Sequence, residues 1–181
     1  MIKVSDFIVN YLESIGVSDA FLVTGGGAMH LNDSFGKSEK IRCVFNHHEQ
    51  ACAIAAEGYA RQKQKMAVVN VTTGPGGLNT LNGVFGQWTD SVPVLYISGQ
   101  VRYDTTIMSC PELGLRQLGD QEVDIISVVK PLTKYAMCVS EPSMVKKVLQ
   151  KAIFFFFHWR TGPVWIDVPM NVQGALIDVK E

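Results

Sequence analysis

The chain has 181 residues, 47% of them hydrophobic and 18% charged, with 16 Lys and Arg against 17 Asp and Glu for a net charge of −1. These proportions suit one globular domain with a core of its own and exclude a disordered, collagen-like or coiled-coil chain. The basic excess expected of a nucleic-acid binder is missing, and so low a charge content suggests a surface partly covered by a partner.

Ser5 is placed to cap a helix whose apolar positions Phe7, Ile8, Leu12 and Ile15 share one face and which ends at Gly16. Asp6 and Glu13 interrupt that pattern, so the N-terminus reads as a domain helix and not as a signal peptide. A short buried strand, 20–23, leads into Thr24-Gly25-Gly26-Gly27, and a helix is expected over 28–35. A strand over 41–45 leads to the alanine-rich helix 48–62. A strand over 66–72 precedes Gly74-Pro75-Gly76-Gly77, followed by a helix over 78–88 and a strand over 92–98. Residues 100–119 have no period and read as a long loop, a kind of segment that is often functional. A short helix over 120–129, a strand over 132–139, a helix over 142–157 and a last strand over 164–168 complete the pattern. The domain is expected to occupy 1–170, with 171–181 starting an exit linker.

Apolar strands that alternate with helices predict an α/β fold, a three-layer α/β/α sandwich around a mainly parallel sheet. In such sheets ligands bind outside the carboxyl ends of the strands. The turns at Gly25–Gly27, His47–Glu49 and Gly74–Gly77 each follow a predicted strand and are expected to line one edge. No run of about 18 apolar residues exists to span a membrane. Cys43, Cys52, Cys110 and Cys138 are scattered with no CxxC spacing, which speaks against a zinc site and for a reducing compartment, the cytoplasm. No metal-binding residues are assigned.

The two glycine turns are neither GxGxxG nor the GK[ST] phosphate loop, and each alone reads first as a tight turn that requires glycine, though such a turn also lets a ligand's ring approach the backbone. His48-Glu49-Gln50-Ala51-Cys52 begins like a zinc-protease HExxH but ends in Cys, so that reading fails. Glu49 opens an alanine-rich helix, where a carboxylate favours the helix dipole by about 0.3–1 kcal/mol; at the mouth of so apolar a helix it is also partly desolvated. The run Phe154–Phe157 points all round a helix axis. It fits either a helix buried on two sides or contact with another domain or subunit.

Taken in order, several segments resemble the pyrimidine-binding, N-terminal domain of thiamine-diphosphate-dependent enzymes, in the acetolactate synthase and pyruvate oxidase branch. They are Thr24-Gly25-Gly26-Gly27-Ala28, Asn46-His47-His48-Glu49-Gln50-Ala51, Thr72-Thr73-Gly74-Pro75-Gly76-Gly77-Leu78-Asn79, Asp90-Ser91-Val92-Pro93-Val94, Gly119-Asp120-Gln121-Glu122 and Gly162–Pro169. The resemblance covers nearly the whole chain. It implies an enzyme that decarboxylates or ligates 2-keto acids with thiamine diphosphate. By that resemblance Glu49 is the catalytic glutamate that hydrogen-bonds the aminopyrimidine and promotes the cofactor's ylid. Gly25, Gly26, Pro75 and Asn79 would border the pyrimidine with it, and Gln121 would lie on the substrate side.

The resemblance also implies what this sequence lacks. The family's diphosphate domain holds magnesium with a Gly-Asp-Gly motif, and none occurs here. Mg²⁺ is therefore expected to be held by a diphosphate-binding domain of the same or another subunit, in a homo-oligomer, and this chain alone is expected to be inactive. Acetolactate synthases often carry a Pro and paired Arg that help hold FAD where Arg102-Tyr103-Asp104-Thr105 stands, so FAD is not assigned. Neither nucleic acid nor membrane is an expected partner. Two other readings are a non-catalytic binding or assembly module with the same fold and an unrelated doubly wound nucleotide-binding protein. The missing phosphate motifs weigh against the second.

Overall fold

The computed structural model of the chain describes residues 1–178. In chain order the elements are β1 (Ile2–Lys3), α1 (Val4–Ser14), β2 (Asp19–Leu22), α2 (Met29–Lys37), β3 (Arg42–Phe45), α3 (Glu49–Lys63), β4 (Ala67–Val71), α4 (Pro75–Leu78), α5 (Leu81–Asp90) and β5 (Val94–Gln100). They continue with α6 (Ile125–Val129), β6 (Tyr135–Cys138), α7 (Val145–Phe157), β7 (Val164–Pro169), α8 (Met170–Gln173) and β8 (Leu176–Ile177). Six strands form one parallel sheet in the order β3-β2-β4-β5-β7-β6. The expected three-layer α/β/α architecture is therefore present.

Two-residue alternation along the strands divides the core in two. On β4, Val68 faces a layer built from α1, α2 and α7, while Ala67, Val69 and Val71 face α3, α5 and α6. Leu95 and Ile97 of β5 join the first layer, and Val94 and Tyr96 the second. Strands β2, β4, β5 and β7 are buried along their whole length, which explains why they read as continuous apolar runs.

The second layer is thin because α3 lies close to both the sheet and α5. Its buried residues are Cys52, Ala53, Ala56 and Ala60, all small. A Cβ on Gly83 of α5 would stand 2.5 Å from the Cβ of Ala53. Below this contact the Tyr96 and Trp165 rings stack at 4.8 Å. The Tyr96 hydroxyl donates to Gln87 (2.7 Å), whose amide donates to the Ala53 carbonyl (2.9 Å).

Several local expectations change. Ser5 does not cap α1: the helix starts at Val4 with Lys3 before it, and Ser5 is buried 2.9 Å from the Ser34 hydroxyl. Tertiary packing outweighs capping there. The helix expected over 78–88 is two pieces, because Pro75 opens its own turn at α4. The helix expected from residue 120 starts at Ile125, where Asp124 caps by accepting from the Ser127 amide at 3.1 Å. The long loop contains three 3₁₀ turns, Tyr103–Thr105, Ile107–Ser109 and Pro111–Leu113, too short to leave a periodic signal. Within the expected linker, residues 171–173 continue α8 and β8 pairs antiparallel with β1; its last three residues, 179–181, lie outside the described residues. Of the Phe run, Phe156 is fully buried, Phe155 stacks on Tyr135, and Phe154 and Phe157 are exposed.

One buried polar group stands out among the apolar strands. Asp167 on β7 is 1% exposed. The Ser98 hydroxyl donates to it at 2.5 Å, and the Gln100 amide donates at 3.2 Å. Burial nonetheless dominates and pushes the carboxyl up to about 7, with a further push from Asp124. The folded chain thus holds a proton that the unfolded chain has released, so stability falls as pH rises from about 4 to about 7 and flattens above. In urea titrations across this range, Asp167→Asn is expected to remove that component, at most about 4 kcal/mol. Parallel pH curves for the two proteins would contradict the assignment. Gly83→Ala gains about 1 kcal/mol of helix propensity, but overpacking against Ala53 costs about 1–3 kcal/mol. A net loss is expected, read as a Tm lowered by about 2–4 °C per kcal/mol.

Candidate functional site

Because all six strands run parallel, their carboxyl ends share one edge, and the three expected turns meet there. The turn after β2 lies on the turn after β4. The Gly27 amide donates to Thr72 Oγ1 at 3.0 Å, and a Cβ on Gly25 would come within 2.5 Å of the Thr72 side chain. Only glycine permits that approach. From beneath, Asn32 of α2 donates to the Gly25 carbonyl at 3.2 Å and accepts from Asn70 of β4 at 2.8 Å. Gly26 stands exposed, with open space where a Cβ would lie.

Glu49 begins α3 at the end of the turn after β3. His48 caps the helix, its Nδ1 accepting from the Gln50 amide at 3.1 Å, which leaves the Glu49 side chain free to reach across the edge. Its Oε2 accepts from Asn79 Nδ2 at 2.9 Å. Its Oε1 lies 3.7 Å from where a Cβ on Gly76 would be. The half-buried carboxylate therefore faces the third turn, at the positive end of the α3 dipole. One turn along, Cys52 is fully buried; burial pushes its thiol up, and Asn46 donates to its sulfur at 3.4 Å.

The turn after β4 needs Gly74 for two reasons. Its φ is +57°, in the left-handed region, and a Cβ there would strike the Gln121 carbonyl oxygen at 2.1 Å. Pro75 follows at the first position of α4, exposed on the rim, as are Leu78 and Asn79. Gln121 has a left-handed backbone of its own, with φ +59°. Its carbonyl meets Gly74 while its side chain is exposed. Beside it the buried Glu122 carboxylate accepts from the Ile107 amide (3.1 Å) and the Leu118 amide (2.7 Å), and so ties down the long loop.

Gly25, Glu49, Pro75 and Asn79 are thus gathered on one shelf, with Gly26 at its outer rim and Gln121 touching it through its backbone. The shelf is open rather than enclosed. Phe45 at the end of β3, Ile54 on α3 and Leu78 on α4 are exposed on the elements that carry the shelf, while the exposed Phe85 and Trp88 lie further along α5, in a hollow with Lys134, Trp159 and Arg160. Sequence reasoning missed Thr72, Thr73 and Asn32, whose hydroxyls and amide hold the turns together; a pair of Thr before a glycine turn was the only signal available.

The residues fit the aminopyrimidine end of a thiamine cofactor. The shelf offers a carboxylate as hydrogen-bond partner, and glycines where a planar ring must approach the backbone. Among the described residues no group of three His, Cys, Asp or Glu is placed to hold a metal ion, and no helix is long and apolar enough to cross a membrane. Acetolactate synthase 2, chloroplastic, of Nicotiana tabacum is 36% identical over 97% of this chain and 25% of its own length. Acetolactate synthase 3, chloroplastic, of Brassica napus is 34% identical over 96% and 25%, and the acetolactate synthase of Arthrospira platensis is 35% identical over 94% and 28%. The chain therefore spans about a quarter of the length of these curated relatives. The sequence model of the thiamine pyrophosphate enzyme, N-terminal TPP binding domain, matches residues 2–128, and the chain belongs to that family.

Proposed function

We propose that this chain supplies the pyrimidine half of a thiamine diphosphate site in an enzyme that decarboxylates or ligates 2-keto acids, as acetolactate synthases do. The observation that carries the reading is the Glu49 carboxylate on the shared edge, paired with Asn79 and facing the glycine turn. When bound, thiamine diphosphate supplies a nucleophilic carbon once its thiazolium ring has lost a proton. The role of Glu49 is to hold a hydrogen bond, and at times a proton, at one carboxyl oxygen against a ring nitrogen of the pyrimidine. Asn79 orients that carboxylate by donating to its other oxygen. Gly25 and Gly26 let the ring approach the backbone, Pro75 stiffens the rim, and Gln121 borders the substrate side.

The other half of the site, including the magnesium ligands, comes in this reading from a diphosphate-binding domain of the same or another subunit in an oligomer. The exposed Phe45, Ile54 and Leu78 support that reading, since covering them with a partner would both bury apolar surface and exclude water from Glu49. The four cysteines are free thiols, which supports a reducing, cytoplasmic location.

In the assembled enzyme Glu49→Gln keeps the side-chain shape but cannot hold the proton, and the rate is expected to fall by about 10²–10⁴-fold. Circular dichroism and oligomeric state should stay those of the parent. An unchanged rate in a correctly assembled variant would remove Glu49 from the chemistry.

A further inference from the structure

Gln100 ends β5 beneath the shelf and is 3% exposed. All four hydrogen-bonding positions of its carboxamide are occupied. Nε2 donates to the Val123 carbonyl at 2.9 Å and to Asp167 Oδ2 at 3.2 Å. Oε1 accepts from the Val101 amide at 3.0 Å and from the Thr73 hydroxyl. These partners come from four separate segments: the turn after β4, the start of the long loop, the stretch just after Gln121 and Glu122, and strand β7.

Asp167 fixes which way the carboxamide faces. Every donor near the carboxylate points toward it. Trp165 Nε1 donates to Ser98 Oγ at 2.8 Å, Ser98 donates to Asp167 Oδ1, and Gln100 donates to Oδ2. A flipped amide would set its oxygen against the carboxylate and its hydrogens against the Val101 amide, so a single orientation satisfies all partners. Packing alone does not call for such a group. A buried carboxylate and carboxamide are costly unless fully paired, and an apolar pair of similar size would fill the space without that cost.

We propose that Gln100, oriented by Asp167, is a positioning residue that sets the spacing between the Gly74–Asn79 turn and the Gln121–Val123 segment. It acts through Thr73 on one side and Val123 on the other, while the Gly74–Gln121 backbone contact closes the same junction from above. The inference rests on the reading of this edge as a thiamine diphosphate site: the turn carries the pyrimidine edge, the Gln121 segment carries the substrate edge, and one carboxamide holds both at a single separation.

The test uses the full chain for hydrogen exchange and the assembled enzyme for cofactor binding. In Gln100→Met, amide exchange over 74–79 and 121–123 is expected to rise about tenfold or more, the equivalent of losing a net hydrogen bond. Exchange in α1 and α7, on the opposite face of the sheet, should stay unchanged, and the Kd for thiamine diphosphate with magnesium should weaken by a similar factor. Asp167→Asn leaves one oxygen for the two donors Ser98 and Gln100, so exchange at both segments and the Kd are expected to move in the same direction as in Gln100→Met but by less; no change would remove Asp167 from the orienting role. Should Gln100→Met fail to fold, Thr73→Val removes one arm of the bridge alone and should raise exchange over 74–79. Exchange that rises uniformly through the chain, or at neither segment, would overturn the proposal. A local rise with an unchanged Kd would also overturn it, because the spacing would then not serve cofactor binding; Glu49→Gln judges the site itself independently.

Discussion

The close approach of the Gly25 turn to Thr72 is the contact on which the shelf depends. Parallel strands buried on both faces send every connection out at the same edge, but that alone would leave three separate loops. The Gly27 amide bonded to the Thr72 hydroxyl joins two of them. Glu49, at the start of α3, reaches across to Asn79 and brings in the third. Each bond is worth only about 0.5–1.5 kcal/mol. Their effect comes from geometry: with the Gly25 turn seated on the Thr72 side chain and Asn79 bonded to Glu49, the carboxylate faces the turn after β4.

Much of this was legible from sequence, and the reason is the same in each case. Continuous apolar strands between helices require a parallel sheet covered on both sides, and a parallel sheet requires a common edge. The gathering of Gly25, Glu49, Pro75 and Asn79 follows from those two steps. What stayed hidden depends on contacts distant in sequence. Ser5 looked like a helix cap because capping is local, yet it is buried beside Ser34 of α2. Gln100 looked like the first residue of a loop, yet it closes β5 with its carboxamide fully bonded to residues up to 67 positions away. The 3₁₀ turns of the long loop escaped because each is shorter than one turn of an α-helix and so shows no helical periodicity.

The two sides of the sheet divide the work. The layer of α1, α2 and α7 packs large side chains, among them Phe35, Leu12, Leu149 and Phe156, and carries the bulk of the apolar core. The layer of α3 and α5 packs alanines and glycine at close range, so its outer surface keeps the large residues Ile54, Phe85 and Trp88. A helix pair that buries small residues inward and presents aromatic ones outward is suited to receiving a second layer from elsewhere.

The outermost strands, β3 and β6, are four residues long and only partly covered. Arg42 stands at the start of one, held by Asp19, and Lys134 precedes the other. Short borders flanked by cations are poor templates for strand addition. Self-association by sheet extension is thereby discouraged, which leaves the helical faces as the surfaces open to contact.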